Sequence, residues 1–240
     1  MNINLNRTAR IVGALYLISN ATFLIGATVF LEPFLTAQDT LVQIGANGSQ
    51  IALGALLEII NGVAYIGIAA LMFPILKQRF ESMALGYFAF RIIEFVTQIA
   101  ASIVPFLLVA LSGEMVGAGA PISQAIGELL LATRYWTYEI LYFVFCLSAL
   151  MFYYMLYQTK LVPRFLSVWG LIAAALVLFN TLFELFSIDL GTAVAMVTGL
   201  PMLLNELFLG VWLIVKGFNP AAEIMDSAGV PAKEAQLRVS

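Results

Sequence analysis

The chain has no histidine, a single cysteine, and charged side chains at only 10% of its positions. Without histidine it cannot assemble a bis-His haem site, a HExxH zinc site or a Ser-His-Asp triad, because each loses a required ligand or base. No side chain then titrates near neutrality in its unperturbed form, so any proton chemistry falls to carboxylates. The lone Cys146 can form neither an internal disulfide nor a CxxC pair. It lies among Phe143, Phe145 and Leu147, where a buried thiol acts as a small hydrophobe. The scarcity of charge excludes a soluble globule, which carries about 25% charged residues. There is also no basic patch on which a nucleic-acid partner could dock.

What the chain does have is apolar length: 62% of its 240 residues are hydrophobic and its mean hydropathy is +0.99. A window of about 19 residues finds six apolar segments, near 11–31, 51–73, 85–111, 137–157, 165–187 and 194–215. The first follows Arg7 and Arg10, as a signal peptide would. It is too long for an h-region and five more spans follow, so it reads as a transmembrane helix. The expected fold is all-α, a polytopic integral membrane bundle of six transmembrane helices over residues 1–217. Residues 218–240 mix Pro, Ala and charges without a period, which predicts a flexible cytoplasmic tail.

The cations set the expected orientation. Arg7 and Arg10 precede the first span, Lys77 and Arg79 join the second to the third, Lys160 and Arg164 join the fourth to the fifth, and Lys216, Lys233 and Arg238 follow the sixth. All fall on one side, with Arg134 alone on the other, so the positive-inside rule puts both termini in the cytoplasm. The inner turns are short, while the outer connections 32–50 and 112–136 are long. In the second of these, Ile122, Ile126, Leu129, Leu130 and Thr133 recur at helical spacing after Pro121. That predicts an amphipathic helix at the outer interface or an extension of the fourth span, with Tyr135 and Trp136 in an aromatic belt.

The exception to the apolar spans is polar. Arg91 and Glu94 stand one helical turn apart within the third span, where an ionised side chain costs about 2.5–3.5 kcal/mol. At 1.5 Å per residue, Glu94 and Glu206 lie near the midplane, with Asn20, Asn61 and Asn205 close to that level. Glu58, Gln98, Asn180, Glu184 and Glu139 form a second level nearer the outer face. Glu58 with Asn61, Arg91 with Glu94 and Gln98, and Asn180 with Glu184 repeat at helical spacing, so each set shares one face turned to the bundle interior. Arg91 is expected to reach Glu94, Glu206 or both. It cannot neutralise Glu58, Glu94 and Glu206 alone, so at least one of them is expected to be protonated or hydrated.

Two accounts of this centre stay open. In one, Arg91, Glu94 and Glu206 form a knot that fixes helix register. In the other, an outward-opening cavity binds a small-molecule or lipid ligand, with Arg91 meeting an anionic group and a Glu moving a proton. Spans two, four and six each carry a Glu followed by an inner-end Lys, a weak echo of an internal repeat.

The run FRIIE at Phe90–Glu94, the turn LVPRFLSVWGLI at Leu161–Ile172, LLNELFLGVWLIVKG at Leu203–Gly217 and RIVGALYLI at Arg10–Ile18 together resemble the bacterial membrane proteins grouped as domain of unknown function 4386. The resemblance implies an inner-membrane protein of about six spans and transfers no catalytic residue. The reading is a non-catalytic component that contacts membrane lipids and binds a lipid or partner. The alternatives are a small proton-coupled carrier using Glu94 or Glu206, and a metal-free enzyme on lipid or isoprenoid substrates, for which no nucleophile and base pair is visible. No metal or cofactor is called for.

Overall fold

A computed structural model describes residues 4–37, 39–113, 120–219 and 222, and every regular element among them is helical. The first span begins with α1 (Leu5–Leu24), whose first turn is capped where the Asn4 side chain accepts from the Arg7 N–H at 3.1 Å. It continues through a π-helical stretch, Ile25–Leu31, into the short α2 (Glu32–Leu35). A short α3 (Thr40–Ala46) leads into α4 (Gly48–Leu76), α5 (Glu81–Ser112), α6 (Ala120–Thr159), α7 (Arg164–Leu185) and α8 (Thr192–Val215). Six helices among the described residues are long and apolar enough to cross a bilayer. The protein is a six-span membrane bundle.

The buried polar side chains of the spans share the bundle interior with an apolar core. On α5 the residues facing the bundle are Tyr87, Arg91, Glu94, Gln98 and Ser102, while Ile92, Ile93, Val96, Ile103, Phe106 and Leu107 face outward. Hydrocarbon solvates those outward side chains but offers nothing to a carboxylate, so the polar stripe must turn in. The same rule orders the outer end of α6. Ile122, Ile126 and Leu129 are exposed, while Ser123, Gly127 and Arg134 lie on the buried side about 120° round the helix.

The spans form a closed ring in chain order: α1 packs on α4, α4 on α5, α5 on α6, α6 on α7, α7 on α8, and α8 returns to α1. Closure depends on glycine at the last contact. A methyl group at Gly13 would meet the Gly210 carbonyl oxygen at 2.5 Å, so the α1 and α8 backbones pass almost in touch. Small residues permit this close approach in membranes. One apolar core, including Val12, Ile68, Met72, Phe152, Leu156 and Leu213, fills the half of the ring nearer the termini; a smaller one, with Leu31, Leu41, Ile44, Ile51, Val104 and Leu108, closes the other end.

The structure corrects two expectations. The outer connections 32–50 and 112–136 are not long loops: α2, α3 and the start of α4 occupy the first, and α6 runs unbroken from Ala120, taking the second of the two placements foreseen for the amphipathic segment. Arg134 consequently does not stand in an outer loop but lies buried within α6. At the start of the tail, Phe218 and Ala222 are buried and the Asn219 N–H donates to the Leu161 carbonyl at 2.8 Å. The expected flexibility of residues 220, 221 and 223–240 falls outside the described residues.

Gly13→Val should lower the thermal unfolding midpoint of the purified protein, since overpacking of this kind costs about 1–3 kcal/mol. Gly199→Ala, whose methyl meets nothing within 4 Å, should hold or raise it. Equal losses from the two would contradict closure of the ring through α1 and α8.

Candidate functional site

The buried polar groups separate into two layers. The layer farther from the termini is built on Glu58 of α4, which is 1% exposed. Its carboxylate accepts from both terminal nitrogens of Arg134, from the Tyr138 hydroxyl at 2.5 Å and from the Ser102 hydroxyl at 3.0 Å. Arg134 Nη1 also donates to the Ala101 carbonyl at 2.8 Å, and its guanidinium lies 4.8 Å from the Tyr138 ring centre. Gln98 completes the set by donating to the Tyr138 oxygen at 3.0 Å. One carboxylate meets one guanidinium, and none of these side chains has a buried polar atom without a partner. Three helices, α4, α5 and α6, are thereby tied together.

The second layer centres on Arg91, one turn before Glu94 on α5. Arg91 Nη1 donates to both Glu94 oxygens, at 3.0 and 3.1 Å. The rings of Tyr65, Tyr87 and Phe145 surround the guanidinium at 5.5, 5.7 and 5.3 Å. Such cation–π contacts contribute about 0.5–2 kcal/mol each when desolvated. Ser148 of α6 donates to Glu94 Oε2 at 3.5 Å. Glu206 of α8 forms no ion pair with Arg91 among the described residues; its only polar contact there is the Asn20 amide, at 3.3 Å.

This inner layer is not satisfied from within. Arg91 Nε and the hydroxyls of Tyr65, Tyr87 and Tyr153 are buried with no hydrogen-bond partner in the protein. Tyr16 of α1, Tyr87 of α5 and Tyr153 of α6 all lie within electrostatic range of both Glu206 and Arg91. These residues come from α1, α5, α6 and α8, so the layer draws on both sides of the ring. An unmade hydrogen bond on a buried donor costs about 1–3 kcal/mol. Several such groups at one place are therefore a binding feature or a hydrated one.

Of the residues that the sequence nominates, Arg91 and Glu94 pair directly, with Glu206 across from them. Glu58 and Gln98 join in the other layer. Asn61 is elsewhere, accepting from Ser19 at 2.5 Å and tying α4 to α1. Asn205 braces α8 to α7 by donating to the Leu166 carbonyl at 3.0 Å. Asn180 is half-buried and its Oδ1 has no protein partner. Glu184 accepts from Tyr135 at 2.6 Å near the ring's far end. Sequence reasoning passed over Arg134, Tyr138 and the inner tyrosines. The signal was present: Tyr87 precedes Arg91 by one turn on the same stripe, and Arg134 shares a helix face with Ser123 and Gly127.

The family model described as a domain of unknown function, DUF4386, matches residues 11–217, which reaches into all six spans and covers five of them whole. The chain belongs to this family. No curated protein and no solved structure matches it. In this DUF4386 protein, no group of cysteine and carboxylate side chains among the described residues gathers in a way that could hold a metal ion.

The outer layer gives a clean test in this DUF4386 chain. Arg134→Met alone strands Glu58 in the interior and should cost about 3–5 kcal/mol in denaturant unfolding, whereas Arg134→Met with Glu58→Leu should recover most of that loss. A double variant no more stable than the single one would show that the pair is not the interaction that matters.

Proposed function

We propose that the protein is a non-catalytic, multi-pass component of the bacterial inner membrane that binds the polar group of a small molecule or lipid in its inner polar layer. One observation carries this reading. The outer layer satisfies its own hydrogen bonds, while the inner layer presents the Tyr65, Tyr87 and Tyr153 hydroxyls and Arg91 Nε without protein partners. A knot whose only task is to fix register has no use for unfilled donors, because each one subtracts from stability.

Orientation follows from the ends of the ring. Arg7, Arg10, Lys77, Arg79, Lys160, Arg164 and Lys216 cluster at the end that bears the termini. With Arg134 withdrawn into the bundle, no described cation is left at the opposite end, and the positive-inside rule assigns the termini to the cytoplasm. The larger apolar core then lies on the cytoplasmic side of the inner layer, which favours entry from outside or from the lipid.

A second reading has its own observation. Glu206 is a carboxylate in the middle of a span with no cationic partner in ion-pair range among the described residues, the position a proton-coupled carrier would use.

Native mass spectrometry of the protein, extracted directly into lipid nanodiscs, should find a bound non-protein mass. That mass should be lost in Tyr87→Phe with Tyr153→Phe. No bound mass in either form, together with a double variant more stable than the parent, would overturn the binding reading. Single-cysteine labelling in a Cys146→Ala background should reach Ser187→Cys from outside and Gln78→Cys only from inside; the reverse pattern would invert the orientation.

A further inference from the structure

A separate opening lies at the ring's far end, away from the inner layer. A cavity of about 200 Å³ is walled there by Asp39, Thr40 and Leu41, at the start of α3, and by Gly127, Glu128 and Leu131 of α6. Sites for drug-sized ligands occupy about 300–1,000 Å³, so this one suits a smaller solute. Its floor is apolar, since Leu41 belongs to the small core at this end and Leu131 packs on that core. The bare backbone at Gly127 shapes the floor: a methyl group there would press on the Leu41 side chain at 3.1 Å.

The rim carries two carboxylates, one from each wall. Glu128 accepts from Gln124 at 3.3 Å, and Asp39 precedes α3 without accepting a bond from its first turn. Neither has an ion-pair partner among the described residues. The neighbouring sequence offers none: no lysine or arginine occurs between Arg10 and Lys77 or between Arg91 and Arg134, and Arg134 is bonded to Glu58. The Thr40 hydroxyl donates to the Ala37 carbonyl at 2.6 Å, which leaves its oxygen free to accept. The cavity therefore offers acceptors and negative charge above hydrocarbon.

That combination selects among cations. An ammonium group brings three donors and one positive charge, and a short run of methylenes gains from covering leucine. A bare divalent ion gains nothing from the leucines and takes six or more oxygen ligands, whereas no group of three carboxylates gathers among the described residues. Glu32, Glu184 and Asp189 lie at the same end, and a surface of one sign raises the local concentration of oppositely charged solutes. We propose that the cavity between α3 and α6 binds a short linear diamine in its diammonium form, one end on Asp39 and the other on Glu128, with its methylenes against Leu41 and Leu131.

The test uses the full chain in nanodiscs of phosphatidylcholine, whose zero net charge keeps amines off the lipid, at about 0.15 M salt so that distant charges are screened. The probes are diamines from 1,3-diaminopropane to 1,6-diaminohexane, the monoamines and diols of the same chain lengths, and calcium chloride, with binding read calorimetrically. At least one diamine should bind more tightly than its matched monoamine, its matched diol and calcium. Asp39→Asn and Glu128→Gln should each weaken that diamine about tenfold or more. Both residues are exposed, so neither variant threatens the fold. Glu32→Gln, at the same end but outside the cavity, should weaken it less than about twofold. Tighter binding of a monoamine, a diol or calcium, a diamine affinity that Asp39→Asn or Glu128→Gln leaves intact, an equal loss from Glu32→Gln, or no binding at all would each overturn the proposal. None of these outcomes bears on the inner layer, whose reading rests on the bound mass.

Discussion

Hydrocarbon gives an ionised side chain no solvation, so an ionisable group placed between the two faces of this bundle must turn to the inner side of the ring, where a counter-ion or a hydrogen bond can meet it. That constraint determines how the helices face. It turns the stripe from Tyr87 to Ser102 on α5 inward, draws Arg134 of α6 across to Glu58 of α4, and leaves isoleucine, valine and phenylalanine against lipid. It also makes the ring cooperative. Removing either member of a pair leaves a bare charge that the neighbouring helices cannot escape without opening the bundle.

The same constraint separates the two polar layers by their completeness. Around Glu58, no buried polar side-chain atom lacks a partner, and the contacts join three consecutive spans. Around Arg91, the ion pair with Glu94 is local to one helix, and apart from the long Ser148 contact to Glu94 no side chain of α1, α6 or α8 among the described residues bonds to it. A layer that ties helices together needs direct bonds between them. A layer that receives something needs groups held apart by the scaffold and left with bonding capacity, and the inner layer has that form. The closed outer layer keeps α4, α5 and α6 in register, so Tyr65, Arg91 and Tyr153 are held in place.

The fold was legible because the signal for a span is long and redundant: about 20 apolar residues in a row, repeated six times, with cations marking the turns. That Arg91, Glu94 and Glu206 come to one level was equally legible, since helix rise is constant. What the sequence could not supply was partnership across helices. Glu58 looked uncompensated because Arg134 lies far off in the chain, next to an aromatic pair that resembled an interfacial belt. Its burial became visible only once α6 proved continuous from Ala120. Asn61 and Asn205, expected near one level with Glu94 and Glu206, face α1 and α7 respectively, because counting residues along a helix says nothing about azimuth between rigid neighbours. The inner tyrosines carry no signal of their own in the sequence, because their rings also serve as packing; only the environment of the hydroxyls distinguishes them.

The central claim is that the hydroxyls of Tyr65, Tyr87 and Tyr153 are left open by the protein for something that is not protein. An experimental density map of the protein in lipid nanodiscs, at a resolution that shows ordered water, tests it directly. The account predicts non-protein density inside the ring within hydrogen-bond distance of Tyr87 and Tyr153, beside Glu206. An interior in which those hydroxyls bond directly to protein groups, with no room between them and Glu206, would contradict it.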